Sequence, residues 1–112
     1  MKKFLVLYRA PVESYQEAMR STTPEQAQAG MDAWMAWGQK MQSALVDMGA
    51  PLAKGIQVRP SGFEAVPNDL GGYSVMQAES KEDLGRLLEG HPHFMMAGGF
   101  IEAVEIMPIP GM

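Results

Sequence analysis

Three observations predict an α+β fold of four antiparallel strands and two helices in the order βαββαβ. The chain opens on an apolar run, "KFLVLYR". A long stretch after "TTPEQ" repeats its apolar residues at spacings of three and four, and two strand-like runs flank a second, Ser-capped helical segment.

The first strand, Lys3 to Arg9, is apolar at nearly every position and bounded by Pro11, the pattern of a strand buried on both faces. Val12 to Arg20 reads as a short helical turn. The next helix starts at Thr23 as N-cap, with Pro24 in the first helical position and Gln26 reaching back as in a capping box; Gly49 stops it. Met31, Trp34, Gly38, Met41, Leu45 and Met48 form one stripe along that helix.

A second strand follows over Ala53 to Arg59, with Ile56 and Val58 on one side and Gln57 and Arg59 on the other. The polar stretch "PSGFEAVPNDLGG" is long enough for a hairpin excursion or a lid. Tyr73 to Glu79 is the third strand. Ser80 and Asp83 open the second helix, whose apolar face is Leu84, Leu87 and Leu88 and whose end lies near Gly90; Phe100 to Met107 is the fourth strand. Two helices cover one side of such a sheet, yet its strands are apolar on both sides. A facing sheet from an identical subunit would bury the second side, so a homodimer packed sheet to sheet is expected.

The 112 residues suit one domain, and 46% hydrophobic with 20% charged residues is the balance of a globular protein. The opening "MKKFLVLYRAP" holds too short an apolar run for a signal peptide, and no run approaches a bilayer span, so a cytoplasmic location with no membrane partner is expected. With no cysteine there is neither a disulfide framework nor a thiolate ligand, and a net charge of -4 without a Lys/Arg cluster argues against nucleic acid. A small molecule or another protein chain remains as partner.

The element order is that of the ferredoxin-like fold. Together with "MDAWMAWGQKM...LVDMGAPLAKG", "GYSVMQAESKEDLGRLLEGHPHF" and "IEAVEIMPIPGM", it resembles the YCII-related family over most of the chain from about Met31. The resemblance implies a dimeric α+β barrel with a cleft between helices and sheet. Some members carry a histidine on the first long helix and an aspartate near the next strand, and one is a dehydrochlorinase of a substituted hydroquinone. Here the helix centre, "WMAWGQKM", has no histidine, and the "DGPF" signature of another branch is missing.

Both histidines lie in "LEGHPHFMMAGG". Pro92 between them disfavours the regular strand on which His-x-His holds a metal, and with neither cysteine nor a third histidine no metal is expected. His91 reads as capping the last carbonyls of the second helix, with substrate contact as its other role. His93, beyond the helix, is the candidate catalytic acid/base, since a free imidazole titrates near 6.5. Trp34, Trp37, Met41 and Tyr73 are candidates for substrate binding, with core packing as the alternative for the tryptophans. Gly38 within their stripe marks either a close backbone approach or a widened pocket.

Arg9 and Arg59 at strand ends suit an anionic group or an ion pair with Glu102 or Glu105. No nucleophile elbow, phosphate loop or dinucleotide fingerprint occurs, and no cofactor is expected. Two functions stay open. One is cofactor-independent elimination or isomerisation on a small aromatic-like substrate, with His93 as acid/base and Tyr73 orienting; the other is a non-catalytic metabolite-binding or regulatory dimer.

Overall fold

A computed structural model describes residues 1–111. Strand β1 (Lys2–Arg9) alternates as its sequence requires: Phe4, Val6 and Tyr8 are buried, whereas Leu5, Leu7 and Arg9 are half-buried on the other face. Helix α1 (Val12–Ser21) follows Pro11, and α2 (Pro24–Lys40) carries the expected capping box. Thr23 Oγ1 accepts the Gln26 amide at 3.1 Å and the Gln26 side chain accepts the Thr23 amide at 2.9 Å.

Helix α2 ends at Lys40 rather than at Gly49, and the second strand of the sheet is β2 (Leu45–Pro51). Sheet pairing overrides the helical spacing here. The Ala44 carbonyl accepts the Gln77 amide at 2.8 Å and Leu45 lies opposite Met76, so Leu45 and Met48 belong to a strand and not to the helix stripe. Gly49, at φ 80°, bulges this strand, and its amide donates to Asp47 Oδ1 at 2.8 Å. A Cβ at Gly38 would stand 3.1 Å from Met48 Cε, so the methionine of β2 fills the gap in the helix stripe. Met31 and Met35 on the same helix are exposed.

The predicted second strand is instead half of a separate hairpin, β3 (Gly55–Arg59) paired with β4 (Gly62–Val66), which is the hairpin excursion that the long loop allowed. Strand β5 (Leu70–Ala78), helix α3 (Lys81–Leu87) and strand β6 (Phe100–Ile106) complete the chain. Ser80 caps α3, its side chain accepting the Asp83 amide at 3.1 Å. The main sheet runs β2-β5-β1-β6 with every neighbouring pair antiparallel, an α+β arrangement compatible with the ferredoxin-like fold plus an inserted hairpin.

One face of this sheet carries the core, in which Phe4, Val6, Tyr8, Met76 and Ala78 pack with Trp37, Met41, Leu84 and Leu88 from the helical side. The register places Leu5, Leu7, Tyr73, Val75, Val104 and Ile106 together on the opposite face. Val104 and Ile106 are exposed there and the other four are half-buried. Among the described residues no helix is long and apolar enough to cross a membrane.

Candidate functional site

Gly90, at φ 70°, turns the chain out of α3, and Pro92 starts a 3-10 turn, Pro92–Met95. The hairpin of glycine and proline folds both histidines back over the end of β1. His91 is 2% exposed and His93 6%.

His91 does not cap α3 with its ring. Its backbone amide reaches the Leu88 carbonyl at 3.3 Å, while its Nδ1 accepts the His93 amide at 2.9 Å and so caps the 3-10 turn. Proline at the turn's first position makes His91 the N-cap of the following element, where an acceptor is required. A ring that accepts at Nδ1 carries its proton on Nε2 when neutral. Burial, and to a lesser degree the neighbouring His93, push the His91 pKa down to about 4, so it is neutral near pH 7.

Three aromatic rings enclose His91: Trp37 at a centroid distance of 4.3 Å, Trp34 at 4.6 Å and Tyr8 at 4.8 Å. Trp34 and Trp37 project from consecutive turns of α2, and Tyr8 rises from the end of β1, so two separate elements converge on one imidazole. Two buried N–H donors in this cluster, Trp37 Nε1 and His91 Nε2, have no acceptor among the described residues. Leaving a buried donor unpaired costs roughly 1–3 kcal/mol, so an arrangement with two such donors is under-satisfied.

The Tyr8 hydroxyl is satisfied in contrast. Ser74 Oγ donates to the Met48 carbonyl at 2.7 Å and accepts from Tyr8 at 2.8 Å. Burial, only partly opposed by the Ser74 hydrogen bond, pushes the Tyr8 pKa up to about 12, which keeps it a neutral donor. His93 Nε2 lies 2.7 Å from the Arg9 carbonyl, an acceptor only, so Nε2 carries the proton and Nδ1 holds the lone pair.

The end of β1 that supplies this carbonyl is clamped. Arg9 pairs with Asp69 at 2.7 Å and with Glu102 at 2.9 Å, the second being one of the ion pairs expected from the sequence. The hydrogen bond between them raises the Arg9 pKa and holds the Asp69 carboxyl below its ordinary range. The Asp69 carbonyl in turn accepts the Ala10 amide and the Tyr15 hydroxyl, both at 3.0 Å.

Of the residues singled out in the sequence, the structure brings together His91, His93, Trp34 and Trp37, with Met41 buried in the adjoining core. Tyr73 is not among them: pairing opposite Leu7 puts it on the far face of the sheet, away from Ser74 and Met76. Tyr8 is the tyrosine that packs against Trp34, His91 and His93. The sequence offers no direct signal for Tyr8 beyond a phenol at the end of an apolar strand, because its partner Ser74 lies on a strand 66 residues further along the chain. A groove of about 470 Å³ between α3, the 3-10 turn and β6, floored by Leu84, Leu88, Phe94 and Ile101, contains none of the predicted site residues. Among the described residues no three His, Cys, Asp or Glu side chains converge to hold a metal ion.

No family model matches the chain, and no curated protein does. Among solved structures it resembles 5-chloro-2-hydroxyhydroquinone dehydrochlorinase from Burkholderia phenoliruptrix AC1100, solved in complex with 2,5-dihydroxybenzoquinone. The TM-score is 0.51 at 18% identity, over 89% of this chain and 90% of that one. The two share a fold.

Proposed function

We propose that the chain is a homodimeric, cofactor-independent protein that binds a small oxygenated aromatic-like molecule against the His91, Trp34 and Trp37 cluster and performs acid/base chemistry on it through His93. The observation that carries this reading is the pair of buried, unpartnered donors on rings 4.3 Å apart, Trp37 Nε1 and His91 Nε2. A ligand oxygen is the acceptor they lack, and half-buried Trp34 is the wall on which a flat ring would stack. His93 has its tautomer set by the Arg9 carbonyl, which leaves Nδ1 to take up a proton. In an elimination, one ring hydroxyl gives up its proton and becomes a carbonyl as the neighbouring carbon that bears the leaving group takes up a proton. Nδ1 then removes the proton of a second hydroxyl, whose O–H pair forms the second carbonyl as the ring π pair shifts and the leaving group departs with its bonding pair. The dehydrochlorinase of like fold, with its bound hydroxyquinone, and the resemblance to the YCII-related family support the same ligand class.

A second reading is favoured by the close packing of the rings around His91: a binding or regulatory module that holds the ligand without turnover. Calorimetric titration with 2,5-dihydroxybenzoquinone and a chloride-release assay on 5-chloro-2-hydroxyhydroquinone separate the two. His93→Ala is expected to retain binding within a few-fold and to lose turnover. Binding lost in that variant, with no chloride release by the unaltered protein, supports the module; no saturable binding at all sinks both.

The homodimer joins the apolar sheet faces described above, with Leu5, Val75 and Val104 from each copy at the centre. Their exposure or half-burial supports it, because these apolar residues are grouped at the middle of one face with Lys3, Gln77 and Glu102 towards its edges, the pattern of an apolar centre with a polar rim.

A further inference from the structure

Hairpin β3–β4 is amphipathic to a degree that an isolated excursion does not need. Directly paired residues share a face, so the pairs Ile56–Ala65 and Val58–Phe63 set four apolar side chains on one side, and the pair Gln57–Glu64 lies on the other. Arg59, on that polar side, donates to Gln57 Oε1 at 2.8 Å. The apolar side is open: Ile56 is 62% exposed, Val58 70% and Phe63 76%. A lone two-stranded hairpin of five-residue strands is marginal in water unless its apolar side is covered.

The size of the molecule shows how much cover is needed. A compact monomer of 12.2 kDa exposes about 6,100 Å², whereas this chain exposes 7964 Å². Its radius of gyration is 15.7 Å against about 13 Å for a compact domain of this length. The excess of roughly 1,900 Å² exceeds the ~800 Å² that each partner of an ordinary complex buries and falls in the range of obligate dimers.

We infer that the β3–β4 hairpin is an arm whose apolar side packs onto a second copy of this chain. The arm continues from β2 and β5, the strand pair that carries Tyr73 and Val75 on the open sheet face, so one continuous chain segment supplies both surfaces. An arm that depends on cover needs it at one-to-one stoichiometry, which a second copy supplies. This inference rests on the self-association proposed above and adds the element that clamps it.

The test is the dimer dissociation constant from sedimentation velocity over a concentration series, for the unaltered protein, Phe63→Asp, Glu64→Gln and Val104→Lys, with circular dichroism confirming folding. Phe63→Asp is expected to weaken the dimer at least tenfold and Glu64→Gln, on the polar side, by less than twofold. A dimer dissociated by Val104→Lys but left intact by Phe63→Asp overturns the arm alone. A monomeric unaltered protein overturns the arm and the sheet-to-sheet dimer together.

Discussion

His91 is held neutral by its surroundings, and that has a pH signature. Its pKa in the folded chain is about 4 against an ordinary 6.5, so between these values the unfolded chain binds more protons than the folded one. The stability it permits is complete above pH 6.5 and is lost as pH falls towards 4, by on the order of 3 kcal/mol. Urea unfolding at pH 7, 5.5 and 4 is expected to show this loss, and His91→Asn, which keeps an acceptor for the His93 amide, is expected to flatten it. An equal slope in the variant would place the titration elsewhere.

The Tyr8–Ser74–Met48 relay makes a second residue-scale prediction, because its two ends are not equivalent. Tyr8→Phe removes one donor and leaves Ser74 bonded to the Met48 carbonyl, at a cost of about 1 kcal/mol. Ser74→Ala strands the buried Tyr8 hydroxyl and costs about 1–3 kcal/mol. Chemical denaturation that ranked the two in the opposite order would contradict the direction of the relay.

At the scale of elements, Gly49 holds the bulge that lets β2 follow β5. A Cβ there would lie 1.7 Å from the Tyr73 carbonyl oxygen, and φ is 80°. Gly49→Ala is therefore expected to break the β2–β5 register and cost several kcal/mol, since backbone must move and φ is unfavourable for alanine. A melting temperature within a few degrees of the unaltered protein would refute this. The same segment shows why the sequence misleads. Leu45 and Met48 continue the helical spacing of Met41, and Gly49 resembles a helix C-cap, but both signals are local, whereas the pairing of Leu45 with Met76 joins residues far apart in sequence. Elements whose ends are marked by local chemistry were legible: the Thr23 capping box, the Ser80 cap and the proline-bounded β1 stand where their residues predict.

The site was legible to a similar depth. The helical spacing that sets Trp34 beside Trp37 and the Gly90–Pro92 turn that sets His91 beside His93 are local features, although the contact between the two pairs is tertiary. The meeting of Tyr8 with them is likewise tertiary, since it depends on where the 3-10 turn lands on β1, and Tyr73 is excluded by the alternation of its own strand.

On the scale of the whole molecule, an apolar sheet face and an apolar arm leave a surface larger than a compact monomer has, which the proposed self-association would cover. Val104→Lys puts a charge on an exposed position of that face, so it is expected to yield a folded monomer by light scattering. An unchanged dimer mass would remove the sheet face from the interface.

In the proposed function, Trp37 Nε1–H and His91 Nε2–H both donate to a ligand oxygen. Proton–nitrogen NMR of the indole and imidazole N–H groups, followed during titration with 2,5-dihydroxybenzoquinone, observes those two protons themselves. Both resonances are expected to move downfield together along one saturable curve. If both stay in place while the ligand saturates, or if no saturation occurs, the cluster is a packed core and not a binding site.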